Sequence, residues 1–340
     1  MMNNIYFITP PNSPTGGPTL LHQAAKELRI LGFETFILYD GANSLINPVH
    51  IKFKDYNIPF ITEVELIKDS DIVVLPEQYD LIRKYSFLKA TKVIWWLSVD
   101  NYVVSKFYNS LIGKLTKIFL KILRGSNYKF IEHFEIANKI IPKESIYINK
   151  YHHHWVQSNY ALEFVKNFNI SPKFVGDYLV DEFDNCEDIN KMQNIVCYSP
   201  SKGIGITKKI IRNNPHINFV AIQNMTPVEV SNLLIKSKIY IDFGNHPGQD
   251  RIPREARMSN CVVIVGKRGS AINLFDVPIP NRYKFSKKIS KKQLYELQIL
   301  FKDIFDNHST HLENQKEYLN MIRLQKGKFI RDLKQAIESI

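Results

Sequence analysis

Residues 239–256 read IYIDFGNHPGQDRIPREA. A short run of β-branched and aromatic residues, Ile239–Phe243, ends in a turn dense in glycine, proline and charge, and the turn feeds a helix. Apolar runs of this length, bounded by Gly, Pro, Asn or Asp, have the pattern of buried parallel strands. His246, Asp250, Arg251, Arg254 and Glu255 stand in the turn and the helix start. A structural loop rarely needs that density of charge beside a strand end. Glu255 can accept the two hydroxyls of a ribose, and Arg251 can meet a phosphate as a bidentate fork. The alternative is an internal salt-bridge cluster among Asp250, Arg251, Arg254 and Glu255.

The same strand–turn–helix unit recurs on either side. Apolar runs stand at Ile5–Ile8, Thr35–Tyr39, Ile58–Ile61, Ile72–Leu75, Val93–Leu97 and a stretch ending near Trp155. A second series follows at Ile195–Tyr198, Asn218–Ile222, Ile239–Phe243 and Cys261–Val265. Helical patterns separate them. Thr19–Leu31 is one: Leu20, Leu21, Ala24, Ala25, Leu28 and Leu31 keep the 3.6-residue period, and Gly32 is a natural stop. Alternation of this kind predicts βαβ units and doubly wound parallel sheets, an α/β fold. Between the two series lies Ser158–Asp188, with a helix (Asn159–Phe168), a short strand (Lys173–Gly176) and the acidic stretch Asp181–Asp188. The expected domains are 1–175 and 176–312, followed by a terminal amphipathic helix over 313–340 with Leu319, Ile322, Ile330, Leu333 and Ile337 as its apolar positions.

Composition bounds the function. The chain has 340 residues, 44% hydrophobic and 23% charged, a globular balance with room for two domains. Its formal charge of +12 favours anionic partners: nucleic acid, anionic lipid or phosphorylated small molecules. Cys186, Cys197 and Cys261 are odd in number and form no CxxC, so neither a disulfide framework nor a zinc ribbon is expected, and a reducing compartment is. The N-terminus has no signal-peptide pattern, and no apolar run reaches the roughly 18 residues of a spanning helix.

Three more turns can receive an anion. Pro10–Pro18, PPNSPTGGP, joins the first strand to the first helix, and Gly16 and Gly17 let a ligand approach the backbone. Ser199–Gly205, SPSKGIG, places Lys202 at a strand end beside a helix start. Gly266–Ala271, GKRGSA, brings Lys267, Arg268, Gly269 and Ser270 to another such end. None completes a dinucleotide fingerprint or a phosphate-cradling GxxxxGK[ST] loop. The plain readings are strand-to-helix turns and a solvated lysine. The turns at Lys202, at Arg251 and Glu255, and at 267–270 follow strands of one sheet, and together they outline a nucleotide-shaped crevice.

The chain resembles the GT-B glycosyltransferases, especially the family 4-like nucleotide-sugar enzymes of bacterial surface-polysaccharide synthesis. Gly16–Gly17 match their glycine pair after the first strand. Lys202–Gly203 match the Lys-Gly turn opening the second domain. Glu255–Ala256, followed by Asn260–Val265, match the glutamate–alanine helix start and the next strand. The resemblance implies two Rossmann-like domains facing a cleft, with the terminal helix returning towards the first. It implies that Lys202, Arg251 and the turn with Gly269 and Ser270 hold a diphosphate, that Glu255 holds the ribose, and that Gln223, Asn224, Met225 and Thr226 lie near the base. A UDP-sugar is the donor expected from the family, with no cofactor and no obligatory metal. Retaining members carry a second acid eight positions before the glutamate. Here that position is Pro247, and His246 or Asp250 beside it can replace the group, so retention or inversion stays open.

The first half offers the acceptor side. Asp100, in WWLSVDNY (Trp95–Tyr102), can be a general base on an acceptor hydroxyl or a turn and helix-cap residue. Trp95 or Trp96 can face a sugar. His152, His153 and His154 alternate faces in a strand and make a poor metal site. Over Val103–Arg124, Lys106, Lys114, Lys117, Lys121 and Arg124 oppose a stripe of Phe107, Leu111, Leu115, Ile118 and Ile122, with no acidic residue. This predicts a basic amphipathic insertion over 103–125 that meets anionic lipid, or else a helix packed in the core.

The leading expectation is a cytoplasmic glycosyltransferase, peripheral on the inner face of the cytoplasmic membrane. It would extend a surface glycan or lipid-linked acceptor in lipopolysaccharide, O-antigen or capsule synthesis. The alternatives are a sugar-nucleotide epimerase on the same fold, or a non-enzymatic anionic-membrane binding protein. No helix-turn-helix, RNP-like motif or zinc finger supports nucleic acid.

Overall fold

The structure, a computed structural model, describes residues 3–43, 46–124, 137–138, 147–148, 151, 153–179 and 189–340, with the backbone alone for 120–124. His152, Cys186 and the acidic stretch 181–188 lie outside the described residues, as do the side chains of Lys121, Ile122 and Arg124. The chain divides into two compact units, Met1–Gly176 with Phe329–Ile340, and Asp177–Lys328.

The first unit is built on β1 (Ile5–Thr9), β2 (Thr35–Tyr39), β3 (Phe60–Ile61), β4 (Ile72–Pro76), β5 (Thr91–Trp96), β6 (His153–Val156) and β7 (Lys173–Phe174). All pair in parallel, in the order β3-β2-β1-β4-β5-β6-β7. Every residue of β1 and β4 is buried. Helices cover a parallel sheet on both faces, which is why these runs are continuously apolar rather than alternating. The helices of this part are α1 (Gly16–Ile30), α2 (Tyr79–Lys84), α3 (Val99–Asn109), α4 (Leu111–Arg124) and α5 (Asn159–Lys166). Ser98 and Ser158 cap α3 and α5 through their hydroxyls. Trp95 and Trp96 are both fully buried, so neither faces a sugar. The Trp95 indole donates to Val175 O at 3.0 Å and stacks on Phe329.

Two helix boundaries differ from the sequence expectation. α1 begins at Gly16, three residues before the apolar periodicity does. Pro18 needs no N–H partner in a first turn, so the helix takes in the glycine pair. The region 103–124 is not one insertion helix. It breaks at Ser110, whose backbone is extended and whose hydroxyl accepts from Gly113 N at 3.1 Å. Val103, Val104, Phe107 and Tyr108 on α3 are core residues. The apolar spacing Phe107–Leu111 runs through the break, so periodicity alone could not see it.

The second unit carries β8 (Gln193–Tyr198), β9 (Asn218–Ala221), β10 (Ser237–Asp242), β11 (Val262–Gly266) and β12 (Lys284–Phe285), all parallel, in the order β12-β11-β10-β8-β9. Around them lie α6 (Ile204–Asn213), α7 (Pro227–Leu234), α8 (Arg251–Met258), α9 (Lys291–Asp306) and α10 (His308–Asn314), and α11 (Lys316–Glu338) belongs to this unit up to Lys328 and to the first from Phe329. Thr226 with Glu229, and Ser290 with Gln293, form capping boxes that start α7 and α9.

In each sheet the strand order reverses once: between β1 and β4 in the first, between β8 and β10 in the second. Doubly wound folds bind ligands outside the carboxyl ends of the strands at such a switch point. The turns after β1, β4, β8 and β10 are therefore the places to look.

Candidate functional site

At the second switch point two turns pack backbone to backbone. Gly203 has φ +63°, and a Cβ there would collide with Phe243 O; a Cβ on Gly244 would collide with the Lys202 side chain. Glycine at both positions lets the turn after β8 lie against the turn after β10. Lys202 thereby reaches across to Asp250, Nζ to Oδ2 2.7 Å.

Behind this pair sits a buried ionic cluster. Asp242, the last residue of β10, accepts from Gly244 N at 2.8 Å and from the Tyr240 hydroxyl at 3.1 Å. His246 is buried, its Nε2 3.5 Å from Asp242 Oδ1 and its Nδ1 3.8 Å from Asp250 Oδ2. Burial by itself would raise the Asp242 carboxyl; His246, Lys202 and the Gly244 N–H outweigh it and hold the group below its usual range. Burial would likewise lower His246, but the carboxylates of Asp242 and Asp250 outweigh it and raise the imidazole. Donor atoms of Asp242, His246 and Asp250 lie within 4.8 Å of one another, close enough to share a cation. The Lys202 ammonium already sits on Asp250, so a metal ion entering there would have to displace it.

α8 starts directly after its N-cap, Asp250, and presents two arginines differently. Arg251 is partly exposed and pairs with Glu255, Nη2 to Oε1 3.1 Å. Arg254 is buried, and each of its N–H groups has an acceptor. Nη1 and Nη2 take Asp177 Oδ1 and Oδ2 at 2.7 and 2.8 Å. Nη1 also takes Gln325 Oε1 at 2.8 Å, Nη2 takes Gln249 O at 2.9 Å, and Nε takes Asp250 O at 3.2 Å. Arg254 is thus spent inside the protein, holding the backbone of 249–250. Arg251 and Lys202 keep exposed surface for an anion. The sequence alternative of one salt-bridge cluster among 250–255 holds only for Arg251–Glu255.

The turn after β11 is stapled to the same loop. Ser270 N donates to His246 O at 2.8 Å, and its hydroxyl donates to Gly248 O at 2.6 Å. Gly269 sits at φ +58°, where a Cβ would collide with His246 O. Gly269 and Ser270 therefore shape the loop that carries His246 and Asp250, and the buried Ser270 hydroxyl is already used. Gln223 and Asn224 are exposed beyond the end of β9, Met225 is half-buried, and the Thr226 hydroxyl is engaged in capping α7.

At the first switch point Gly16 and Gly17 open α1. A Cβ on Gly16 would meet nothing within 4 Å, and one on Gly17 only Leu97 Cδ1 at 3.7 Å. The protein's own packing demands glycine at neither position. Their N–H groups belong to the first helical turn, which lacks intrahelical partners and favours anions. Asp100 is fully buried in the first turn of α3, and its carboxylate accepts from Tyr160. The sequence reading passed over a second acid there: Glu77, directly after β4. Its Oε2 accepts Leu97 N at 2.9 Å. Burial pushes it up to about 7, against the N–H groups of Leu97 and Ser98 and the Asn101 side chain. The available signal was an acid placed immediately after a continuously apolar strand. Of the histidines, His154 is buried and accepts at Nδ1 from the Trp96 indole at 3.1 Å.

No family profile matches the chain, and no curated protein sequence does. Solved structures do. A glycosyltransferase from Rickettsia africae superposes with a TM-score of 0.58 at 14% identity, covering 100% of both chains. Anabaena Alr3699/HepE, in complex with UDP and glucose, gives 0.57 at 11% identity over 99% of each chain. Sucrose-phosphate synthase from Thermosynechococcus elongatus gives 0.56 at 11% identity, over 98% of this chain and 100% of that one. Two Rossmann-like units with these sheet orders, matched over the whole chain, give this protein the GT-B fold of those glycosyltransferases.

Proposed function

We propose that the protein is a glycosyltransferase that moves a sugar from a nucleoside diphosphate donor, a UDP-sugar by preference, to a surface glycan or glycolipid. The observation that carries this reading is the second switch point. Two partly exposed cations, Lys202 and Arg251, stand there with carboxylate partners that a diphosphate can replace. Lys202 pairs with Asp250 just before α8, and Arg251 pairs with Glu255 on α8. HepE, a structural neighbour, is described in complex with UDP and glucose.

In the transfer, the bond from the anomeric carbon to the β-phosphate oxygen breaks, and a bond from that carbon to the acceptor oxygen forms. The acceptor hydroxyl gives up its proton to a base. Negative charge grows on the leaving diphosphate, and Lys202 with Arg251 neutralises it without a metal ion. Glu255, released from Arg251, accepts the ribose hydroxyls. The exposed Gln223 and Asn224, with Met225, border the base. Asp250, three residues after Pro247 and beside His246, becomes the candidate acid once Lys202 leaves it. The protein works on the inner face of the cytoplasmic membrane, on a growing lipopolysaccharide, O-antigen or capsular chain.

The test is thermal stabilisation and sugar release or transfer with a panel of nucleotide sugars. A ligand bound only by the native state at about 100 times its Kd stabilises by about 2.7 kcal/mol. Lys202→Ala and Glu255→Ala are expected to lose most of that rise and most of the activity. If both variants keep full nucleotide binding and turnover, the site is misassigned.

A further inference from the structure

We infer that α4 is a docking helix that lays Leu111, Ile112, Leu115, Ile118 and Phe119 on an anionic lipid surface. These side chains are 57–75% exposed, the opposite of what an amphipathic helix does with its apolar stripe in a globular domain. At about 100° per residue they fall within an arc of about 120°. The helix is held by its other side. Gly113 is buried against α3, so closely that a Cβ would collide with Phe107 O. The neighbouring α3 does bury its apolar face, so the exposure is a property of α4 and not of the whole region.

Charge identifies the occupant. Lys114 and Lys117 are both exposed and lie together on one flank of the stripe. No acidic residue occurs from Asn101 to Ile131. Apolar side chains beside lysines, with no acid nearby, suit the boundary between acyl chains and anionic headgroups. A second copy of the chain fits less well, because the face offers lysines but no acid on α4 to pair with them. No helix among the described residues is long and apolar enough to cross a membrane, and α4 has 14 residues, about 21 Å of rise, so it lies along the surface. Lys106 belongs elsewhere: it is half-buried on α3 with its ammonium over the Tyr79 and Tyr102 rings, whereas Lys117, 5.9 Å over the Tyr108 ring, stays exposed. The lipid contact is therefore Leu111–Phe119 and not the whole of 103–125.

This deepens the proposed function, on which it rests for the nature of the acceptor. The experiment separates the two. The full chain is floated with vesicles of phosphatidylglycerol and phosphatidylcholine, and with phosphatidylcholine alone, at low and high salt. Wild type is expected to bind the anionic vesicles about tenfold or more tightly than the neutral ones, less so in high salt. Leu115→Ser with Phe119→Ser, and separately Lys114→Glu with Lys117→Glu, should each weaken binding about tenfold or more. These side chains are exposed, so melting temperature and nucleotide-induced stabilisation should stay as in wild type. Equal binding to neutral vesicles, or full binding by either double variant, overturns the inference. So does a lipid-free dimer that the apolar variant abolishes, which would give the face to a second copy. Loss of nucleotide stabilisation in wild type would strike the proposed function instead, whatever the vesicles show.

Discussion

Acid should destabilise the first unit through two buried histidines. His154 accepts at Nδ1 from the Trp96 indole, a group that can only donate, so its proton sits on Nε2, facing Tyr151 O at 3.2 Å. Protonating Nδ1 would set two donors face to face. His22 gives its Nδ1 proton to Pro18 O at 2.7 Å, accepts at Nε2 from the Tyr39 hydroxyl at 2.8 Å, and stacks on Phe53. Burial, the largest cause, lowers each from 6.5 to about 4. Because the native pKa is the lower one, the unfolded chain binds more protons. Stability is then fully present above pH 6.5 and is lost as pH falls towards 4. At about 1.4 kcal/mol per pH unit, each histidine is worth about 3 kcal/mol and the two about 6. Buried Glu77, raised from 4.5 to about 7, works the other way and gains about 3 kcal/mol over the same range, leaving a net loss of about 3 kcal/mol. That is still a sizeable part of a typical folding free energy of about 5–15 kcal/mol. Trp95, Trp96 and Trp155 all lie in the first unit, so tryptophan fluorescence in urea melts between about pH 7 and about pH 4.5 reads this unit directly. Most of the loss should come above about pH 5, before exposed carboxylates titrate. His154→Gln should remove most of this net slope, and Glu77→Gln should about double it. A free energy that stays flat across this range, or a full slope retained in His154→Gln, would refute the reasoning.

Three further outcomes are expected. Asp250→Asn frees Lys202 from its 2.7 Å ion pair, so nucleotide affinity by calorimetry should rise about three- to tenfold while turnover falls; unchanged affinity would mean that Lys202 does not exchange partners. Arg254→Met strands the buried Asp177 carboxylate and should cost about 3–5 kcal/mol in denaturant melts followed by far-UV circular dichroism, with Arg254→Lys in between; a loss under about 1 kcal/mol would remove Arg254 as the anchor of 249–250. Gly203→Ala must take φ +63° against Phe243 O, a backbone atom that cannot step aside, so the melting temperature should fall and nucleotide should no longer raise it.

Much of the site could be read from the chain. The turns carrying Lys202, Arg251 and Glu255, and the strands before them, show in the alternation of apolar runs with glycine and charge. Two features could not be read there. Ser110 ends α3 through a cap that the unbroken spacing Phe107–Leu111 conceals. Glu77 looks like any acid after a strand until the backbone of Leu97 comes to meet it.

The sequence alone determined the fold class and most of the elements, because strand burial and helix periodicity are local patterns and the glycine positions mark turns. Only the tertiary structure decided which charges meet. Lys202 and Asp250 lie 48 residues apart and Arg254 and Asp177 lie 77 apart. Both pairs span chain that folds into intervening strands and helices, and the first closes only where β8 and β10 end side by side at the switch point. That pairing leaves Lys202 and Arg251 within reach of a ligand and consumes Arg254 inside the protein. Sequence shows the three cations as near-equals, and burial, which depends on the whole fold, separates them.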